Sequence, residues 1–545
     1  MHEGTVLSLL EPRGFLEDKR TAFLFWDGEK PLCYQGKLSY GNLGKKSLRF
    51  ASFLRELGVV AGERVGIMLP NSPQFIIAYF GILQMGGIAV PISPLYEREQ
   101  LLRVLQDAGI RVIIAWDKFY GEILQLKNEA SLKKVVITDP SDALPYLKSK
   151  LYNFKSRTSS IMDKFPANGE FVVNFSKFLG MKPLNRDATG LQSTDVAVLL
   201  YTSGTTGDPK GIALTHDALI SNAHSCKKLV LELGMKDNKE VFLAAAPYFH
   251  IMGLAAMLHT PLLMRAKTVL IPDPKNFQKL LNAIEYTRST GFVGIPGFYK
   301  MMAGVLTKHK YDISSLKVCL SGAAKLGANV KKKFESYWGR GAILVGFGMS
   351  ECGVTHCQRT PSGTDDIGFA LEGVEHKLHD QDENGVGELC VRGRNVMKVY
   401  WNKFAKTCET IDIEGWLHTG DMARIDDRNL VTLLGRVDDD FVKGKDGEKI
   451  PLGEAEKILL SHPQAVESAV VALPREKGKF VIKGFVVLRD KETVCGDIIK
   501  KQLFELLAGL PANQHPDEIH FINEIPKNQM GKVLKRKLRQ MVNGS

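Results

Sequence analysis

The first hundred or so positions alternate between short apolar runs and amphipathic stretches. Leu38-Ser39-Tyr40 leads into Gly41 to Leu57, where Leu43, Leu48, Phe50, Ala51, Phe53 and Leu54 fall on or near one helical face and Gly58 supplies the stop. Arg64 to Pro70 reads as a strand, and Asn71-Ser72-Pro73 opens a helix carrying Phe75 to Gln84. Ile88 to Ile92 is a second strand, Glu97 to Ala108 a further helix and Val112 to Ala115 a third strand. Strands alternating with helices predict βαβ units and a largely parallel sheet.

The pattern changes near Val437. Asp438, Asp439 and Asp440 read as a charged linker, and Gly444 to Gly447 as a loop. Leu452 to Leu460 and Ile498 to Leu510 then read as helices, and Ala469 to Leu473 and Val481 to Leu488 as strands. The expected architecture is α/β: a large N-terminal domain (1-436) of layered, mostly parallel sheets with helices, then a small C-terminal α+β domain (437-545).

The stretch with most chemistry follows an apolar run, Val196 to Leu200, that reads as a buried strand. In Tyr201-Thr-Ser-Gly-Thr-Thr-Gly-Asp-Pro-Lys-Gly211, hydroxyls of Thr202, Ser203, Thr205 and Thr206 accompany Gly204, Gly207, Gly211 and the cation of Lys210. Glycines let backbone N–H groups approach an anion, hydroxyls add donors, and a lysine adds a mobile charge. That mixture suits a polyphosphate whose phosphorus changes a bond. No Gly-Lys-Ser/Thr closes the loop, so it is not a Walker A motif.

Further motifs follow in order. In Gly346-Phe-Gly-Met-Ser-Glu351, Phe347 offers a flat face for a base, Ser350 a hydroxyl for an oxyanion, and Glu351 a ligand for a hard cation shared with phosphates. Asp421, ending Gly415-Trp-Leu-His-Thr-Gly-Asp, is a carboxylate able to accept from two ribose hydroxyls; Arg436 follows soon after. Gly291 to Gly297 and Ser321-Gly-Ala-Ala324 read as strand ends opening into loops, where open α/β sheets bind ligands.

Together these stretches resemble the adenylate-forming enzymes: acyl-CoA synthetases, luciferases and peptide-synthetase adenylation domains. The likeness covers nearly the whole chain and is nearest to long-chain fatty acid–CoA ligases. It implies two half-reactions, a carboxylate attacking the α-phosphorus of ATP to give acyl-AMP and pyrophosphate, then a thiol taking the acyl group. Implied ATP-site residues are Thr202, Ser203, Gly204, Thr205, Thr206, Lys210, Gly322, Ala323, Ala324, Gly346, Phe347, Gly348, Met349, Ser350, Asp421 and Arg436, with Mg²⁺ at Glu351. His250 of Ala246-Pro-Tyr-Phe-His resembles the family's histidine beside the acyl carboxylate. Lys532, in Ile525-Pro-Lys-Asn-Gln-Met-Gly-Lys, matches the catalytic lysine, and Asp438 the hinge of a mobile C-terminal domain.

The remaining acyl site is expected from Gly253, Gly294, Gly322 and Gly348 as space, with Met252, Leu254, Phe298 and Val354 as walls and Ser321 beside them. Coenzyme A is the expected thiol, held by Lys443, Lys445, Gly447 and Lys449, although the loop runs about two residues longer than the family pattern. A medium- or long-chain fatty acid is the expected substrate. An aryl acid, an acyl carrier protein as acceptor, and a non-catalytic acyl or nucleotide sensor are the alternatives. Retention of Lys210, Glu351, Asp421, Arg436 and Lys532 argues against the sensor.

Composition adds bounds. The chain has 545 residues and a formal net charge of +12, a balance that favours anionic ligands such as nucleotides, or an anionic membrane surface. No nucleic-acid-binding signature occurs. Eight scattered cysteines fit a reducing, cytoplasmic setting; Cys352 and Cys357 flank His356 without a trusted zinc spacing. The segment Ser141 to Tyr152 is basic and amphipathic, read either as a plain surface insertion or as a peripheral membrane patch. Lys535-Arg-Lys537 reads as a solvated basic face, and no sequence feature sets an oligomeric state.

Overall fold

The computed structural model describes residues 4–10, 15–27, 34–144, 171–185, 190–203, 209–339, 341–363, 365–443, 449–474, 480–489, 496–527 and 533–543. Two large sheets build the N-terminal part. In the eight-stranded sheet, Arg64–Met68 pairs in parallel with Ile88–Pro91 and Val112–Trp116, as the βαβ pattern predicts. Ile88–Pro91 also pairs in parallel with Val196–Ser203, which turns back antiparallel into Pro209–Thr215.

The helices between these strands start where their capping residues sit. Ser39 accepts the Asn42 N–H at 3.2 Å and opens Tyr40–Glu56. Ser72 accepts the Phe75 N–H at 3.2 Å ahead of Pro73–Gln84, whose proline occupies the first turn. Every residue of Pro73–Gln84 is buried, as suits a helix apolar all round. Gly81 is required there, because an added Cβ would lie 2.8 Å from the Phe50 ring.

The thirteen-stranded sheet is mixed. It is parallel through Lys267–Leu270, Val241–Ala244, Gly291–Gly294, Val318–Ser321 and Leu344–Met349. From Gly353–Cys357 onward its pairings are antiparallel, through Asp366–Ala370, Val431–Arg436, Leu417–Ile425, Val386–Gly393 and Val374–His379. The parallel half matches the expected layers; after Met349 the strands pair antiparallel, some as hairpins and some across long excursions. One apolar core spans both sheets, and a second lies on the face of the eight-stranded sheet covered by Leu101, Val104 and Leu105.

The C-terminal part has its own three-stranded sheet, Ala465–Pro474, Phe480–Leu488 and Glu518–Phe521. Its core joins Leu452, Leu459, Val470, Ile482, Val486, Ile499, Leu503 and Leu507. The helices Gly453–Ser461 and Gly496–Leu507 lie where the apolar pattern put them, within three residues at each end. Of the basic segment Ser141 to Tyr152, Pro140–Ala143 forms a turn with Ser141 buried; residues 145–152 lie outside the described ones. No described helix is long and apolar enough to cross a membrane.

Candidate active site

The stem of the phosphate loop is a hairpin. Thr202 stands opposite Lys210 and Ser203 opposite Pro209. Gly204, Thr205 and Thr206 lie outside the described residues, between these strands. The stem is fastened at its base: the Tyr201 hydroxyl donates to Asp107 Oδ2 at 2.6 Å, and Tyr96 donates to the Tyr201 carbonyl at 3.1 Å. Gly211 lets that tyrosine lie flat, since a Cβ there would sit 2.9 Å from its ring. Burial, then Lys406, lower the pKa of Lys210; Glu351 pulls the other way.

A third strand ties this stem to Glu351. Val399–Tyr400 pairs with Pro209–Thr215, setting Tyr400 opposite Ile212. The Tyr400 hydroxyl donates to Glu351 Oε1 at 2.7 Å, and the Lys210 ammonium stands 5.7 Å from the centre of the Tyr400 ring. The Met397 N–H donates to the Glu351 carbonyl at 2.6 Å and the Trp401 N–H to the Gly211 carbonyl at 2.7 Å. Residues 397–401 thus stitch Glu351 to the strand that carries Lys210. Sequence reading missed Tyr400, because an isolated tyrosine outside the quoted motifs carries no signal until pairing places it. Glu351 fits a hard cation: it is a half-buried carboxylate beside a lysine, oriented by one hydrogen bond, with no described residue bonded to its other oxygen.

The loops expected at the adenine and the acyl group follow the parallel strands Gly291–Gly294 and Val318–Ser321. Ala323, in Ser321-Gly-Ala-Ala324, has φ +68°, a left-handed conformation costing on the order of 1–3 kcal/mol for a residue with a side chain. The Ser321 hydroxyl is buried with no hydrogen-bond partner among the described residues, so a polar ligand atom fits there. Phe347 lies on Leu344–Met349, its ring edge-on to His356 with centroids 6.1 Å apart. Gly346 and Gly348 share that strand with Met349, and Ser350 follows in the turn. Ala324 follows Ala323 in the adenine loop.

The expected acyl residues are partly rearranged. The side-chain direction of Gly253 is filled by the Pro247 carbonyl at 2.0 Å, and that of Gly348 by the Gly353 carbonyl at 2.2 Å. Those two glycines serve close backbone packing, a correction to their reading as acyl space. At Gly322 the same direction meets the Gly346 carbonyl at 3.3 Å and the Met252 Sδ at 3.6 Å. Gly294 faces Phe292 at 3.0 Å and Phe298 at 3.4 Å. Leu254 is fully buried in the π-helical segment Gly253–His259, and Asn222 fixes Val354 by bonding both its N–H (3.2 Å) and its carbonyl (2.7 Å). His250 packs against Phe249, and burial lowers its pKa to about 4, so its imidazole is neutral at physiological pH.

The two residues expected at the ribose are drawn together by register. Asp421 and Arg436 stand directly opposite on neighbouring strands, and Arg436 Nη1 donates to Asp421 Oδ2 at 2.7 Å and to the Thr419 carbonyl at 3.1 Å. Gly420, just before Asp421, takes φ +70°, and a Cβ there would lie 3.1 Å from the Arg436 guanidinium.

The acidic run after Arg436 is not a loose linker. Val437–Asp440 forms one helical turn. Asp440 Oδ2 accepts the Arg436 N–H at 2.7 Å, Arg539 bonds Asp439 at 2.9 Å, and Arg539 donates to the Asp438 carbonyl at 3.1 Å. Lys535 is buried and paired with both Asp440 and Glu456, which corrects its reading as part of a solvated basic face. Burial disfavours its charge, but the two carboxylates outweigh that and raise its pKa. Lys443 and Lys449 pair across the hairpin of Phe441–Lys443 and Lys449–Pro451; Lys445, Gly447 and the lysine Lys532 lie outside the described residues. Cys352 and Cys357 are buried free thiols, and His356 Nε2 lies 2.9 Å from His376 Nδ1.

The chain matches the model of the AMP-binding enzyme family over residues 19–401 and that of the AMP-binding enzyme C-terminal domain over 454–532. A long-chain-fatty-acid–CoA ligase of Bacillus subtilis (strain 168) is 32% identical over 525 residues, covering 93% of this chain and 90% of the relative. A 4-coumarate–CoA ligase 2 of Solanum tuberosum is 28% identical over 515 residues, covering 92% and 88%. ATP-bound MatB from Rhodopseudomonas palustris shares the fold, with a TM-score of 0.81 at 24% identity, over 99% of each chain. The fold, the hairpin stem with its lysine, the tethered carboxylate and the family matches converge: the chain belongs to the AMP-binding enzymes.

Proposed function

We propose that this enzyme activates a long-chain fatty acid with ATP to acyl-AMP and transfers the acyl group to coenzyme A. Family membership carries the coarser part, an AMP-forming acid–thiol ligase using ATP, Mg²⁺ and coenzyme A. The observation that supports the site is the convergence of Lys210, Tyr400 and Glu351 on the phosphate-loop stem. Attack of a carboxylate on a phosphate brings two anions together, so catalysis needs positive charge where it develops. Lys210 supplies one such charge, and Glu351 would hold Mg²⁺, which supplies another when bound. Neutral His250 donates to the acid without repelling Lys210. Asp421, oriented by Arg436, accepts the ribose hydroxyls.

Lys532 completes adenylation in this reading, and residues 437-545 turn about Asp438 before the thiol enters. Lys443, Lys445, Gly447 and Lys449 meet the coenzyme A phosphates in this reading. The fatty acid rests on the relative that is 32% identical and on the apolar walls Met252, Leu254 and Phe298. The 4-coumarate–CoA ligase likeness favours an aryl acid as the second reading.

Acid-dependent ATP–pyrophosphate exchange, run over fatty acids of rising length and over aryl acids, tests the proposal. Exchange is expected to be strongest with long chains, and acyl transfer to follow with coenzyme A. Preference for aryl acids overturns the fatty-acid reading, transfer only to a carrier protein overturns the acceptor, and no exchange with any acid overturns the adenylation reading.

A further inference from the structure

Three antiparallel strands at the end of the thirteen-stranded sheet assemble a cluster outside the adenylation site. Alternation along Val386–Gly393 sets Glu388 and Cys390 on one face. Register places Cys390 opposite His418 on Leu417–Ile425, and Glu388 opposite His379 on Val374–His379. The side chains converge. His418 Nδ1 lies 2.8 Å from Glu388 Oε2 and 3.5 Å from Cys390 Sγ, and one ligand atom of each residue lies within 4.8 Å of the others. The His379 ring stands edge-on to His418 with centroids 4.8 Å apart.

Zinc bonds of about 2.3 Å to sulfur and about 2.0–2.1 Å to nitrogen and oxygen, at tetrahedral angles, need roughly 3.5 Å between nitrogen and sulfur and roughly 3.3 Å between nitrogen and oxygen. The cluster already has the first spacing and is about half an ångström short on the second. Its carboxylate is oriented from behind, because Glu388 Oε1 accepts the Gly420 N–H at 2.9 Å. Lys377 shares this face, but its ammonium leans toward Glu414 at 3.6 Å and over the Trp416 ring.

We propose that Glu388, Cys390 and His418 bind a thiophilic divalent cation of the zinc type, with His379 or water as the fourth ligand. Thiolate, imidazole and carboxylate together select such an ion over the hard Mg²⁺ expected at Glu351. Cys390 is a free thiol whose proton must leave before its sulfur ligates a metal. Binding exchanges that proton, released to solvent, for the cation, while His418 coordinates as a neutral ring and gives up its hydrogen bond to Glu388. No cysteine–histidine spacing in the sequence announces the site, since its ligands come from two strands joined by a long excursion. The Glu388 bond to Gly420 connects it to the strand that carries Asp421.

The test uses the full chain, stripped with a chelator and titrated with Co²⁺. One equivalent is expected to produce a near-ultraviolet sulfur-to-cobalt charge-transfer band and the intense visible bands of tetrahedral cobalt, all lost on adding Zn²⁺. Cys390→Ser abolishes the charge-transfer band, and His418→Gln, which keeps the thiol, weakens binding at least about tenfold. The triple variant Cys33→Ser, Cys408→Ser, Cys495→Ser keeps the spectrum. Zn²⁺ also raises the melting temperature of the wild type but not of His418→Gln. Absence of the charge-transfer band from the wild type, its survival in Cys390→Ser, or equal Zn²⁺ stabilisation of wild type and His418→Gln overturns the proposal. None of these readouts depends on ligase activity.

Discussion

The Tyr400 hydroxyl donates to Glu351 Oε1 at 2.7 Å while the Tyr400 ring lies under the Lys210 ammonium, 5.7 Å from its centre. One side chain therefore orients the expected cation ligand and shields the phosphate-loop lysine. Tyr400→Phe removes only the hydroxyl, and a hydrogen bond to a charged group is worth about 1.5–3 kcal/mol. Pyrophosphate exchange is expected to fall about tenfold or more, with a higher Mg²⁺ concentration for half-activation and an unchanged fold. Glu351→Gln, which loses the charge itself, should cost orders of magnitude more. Exchange kinetics against Mg²⁺ check both; an unchanged Mg²⁺ dependence in Tyr400→Phe would count against the positioning role.

Lys532→Ala separates the half-reactions. A lysine bridging the attacking carboxylate and the α-phosphate matters most in the transition state, so turnover should fall more than ATP affinity. Acid-dependent exchange is expected to be nearly abolished. Acyl transfer from pre-made acyl-AMP to coenzyme A should stay close to wild type. Equal loss of both reactions in a folded variant would remove the residue from this role.

Lys535→Met tests the buried triad with Asp440 and Glu456. Removing the cation leaves two partly buried carboxylates facing each other, a change that costs up to about 3–5 kcal/mol. Unfolding of the C-terminal part should shift by that amount in urea. Lys537→Met, at an exposed position of the same helix, should stay within about 0.5 kcal/mol. Equal effects would show that the triad adds nothing specific.

Acid should destabilise the fold through buried histidines. Burial lowers His216 and His250 to about 4, and His259 and His356 to about 3, from an ordinary 6.5. Between those values and 6.5 the unfolded chain binds more protons, so stability rises with pH across that window and is lost as pH falls through it. Asp142, raised to about 6 by burial, and Asp139 and Glu456, raised likewise, work in the opposite sense, while His376, lowered by burial, adds to the histidine side. Unfolding free energies from urea titrations at about pH 7.5 and about pH 5 should differ by about 1–2 kcal/mol for each histidine. A midpoint that is flat or higher in acid would refute this account.

The local elements were legible along the chain, and so were the motifs that point to the chemistry. Capping serines, stop glycines and apolar periodicity act over a few residues, so the helices Tyr40–Glu56 and Pro73–Gln84 and the early parallel strands were legible without a partner in view. The motifs holding Lys210, Glu351, Asp421 and Arg436 were legible too, because an anion or cation site needs particular groups within a short stretch. Tertiary structure decided what depends on strands far apart in sequence. Tyr400 reaches Glu351 only because Val399–Tyr400 joins the edge of the phosphate-loop strand. Gly253 and Gly348 proved to be packing positions, since the backbone filling their side-chain direction comes from neighbouring turns no composition reveals. Lys535 is buried because two carboxylates, 79 and 95 residues away in sequence, meet its amine and offset the cost of removing the charge from water. Cross-strand register made Glu388, Cys390 and His418 neighbours, and pairing between strands is a property of the folded sheet, not of spacing along the chain.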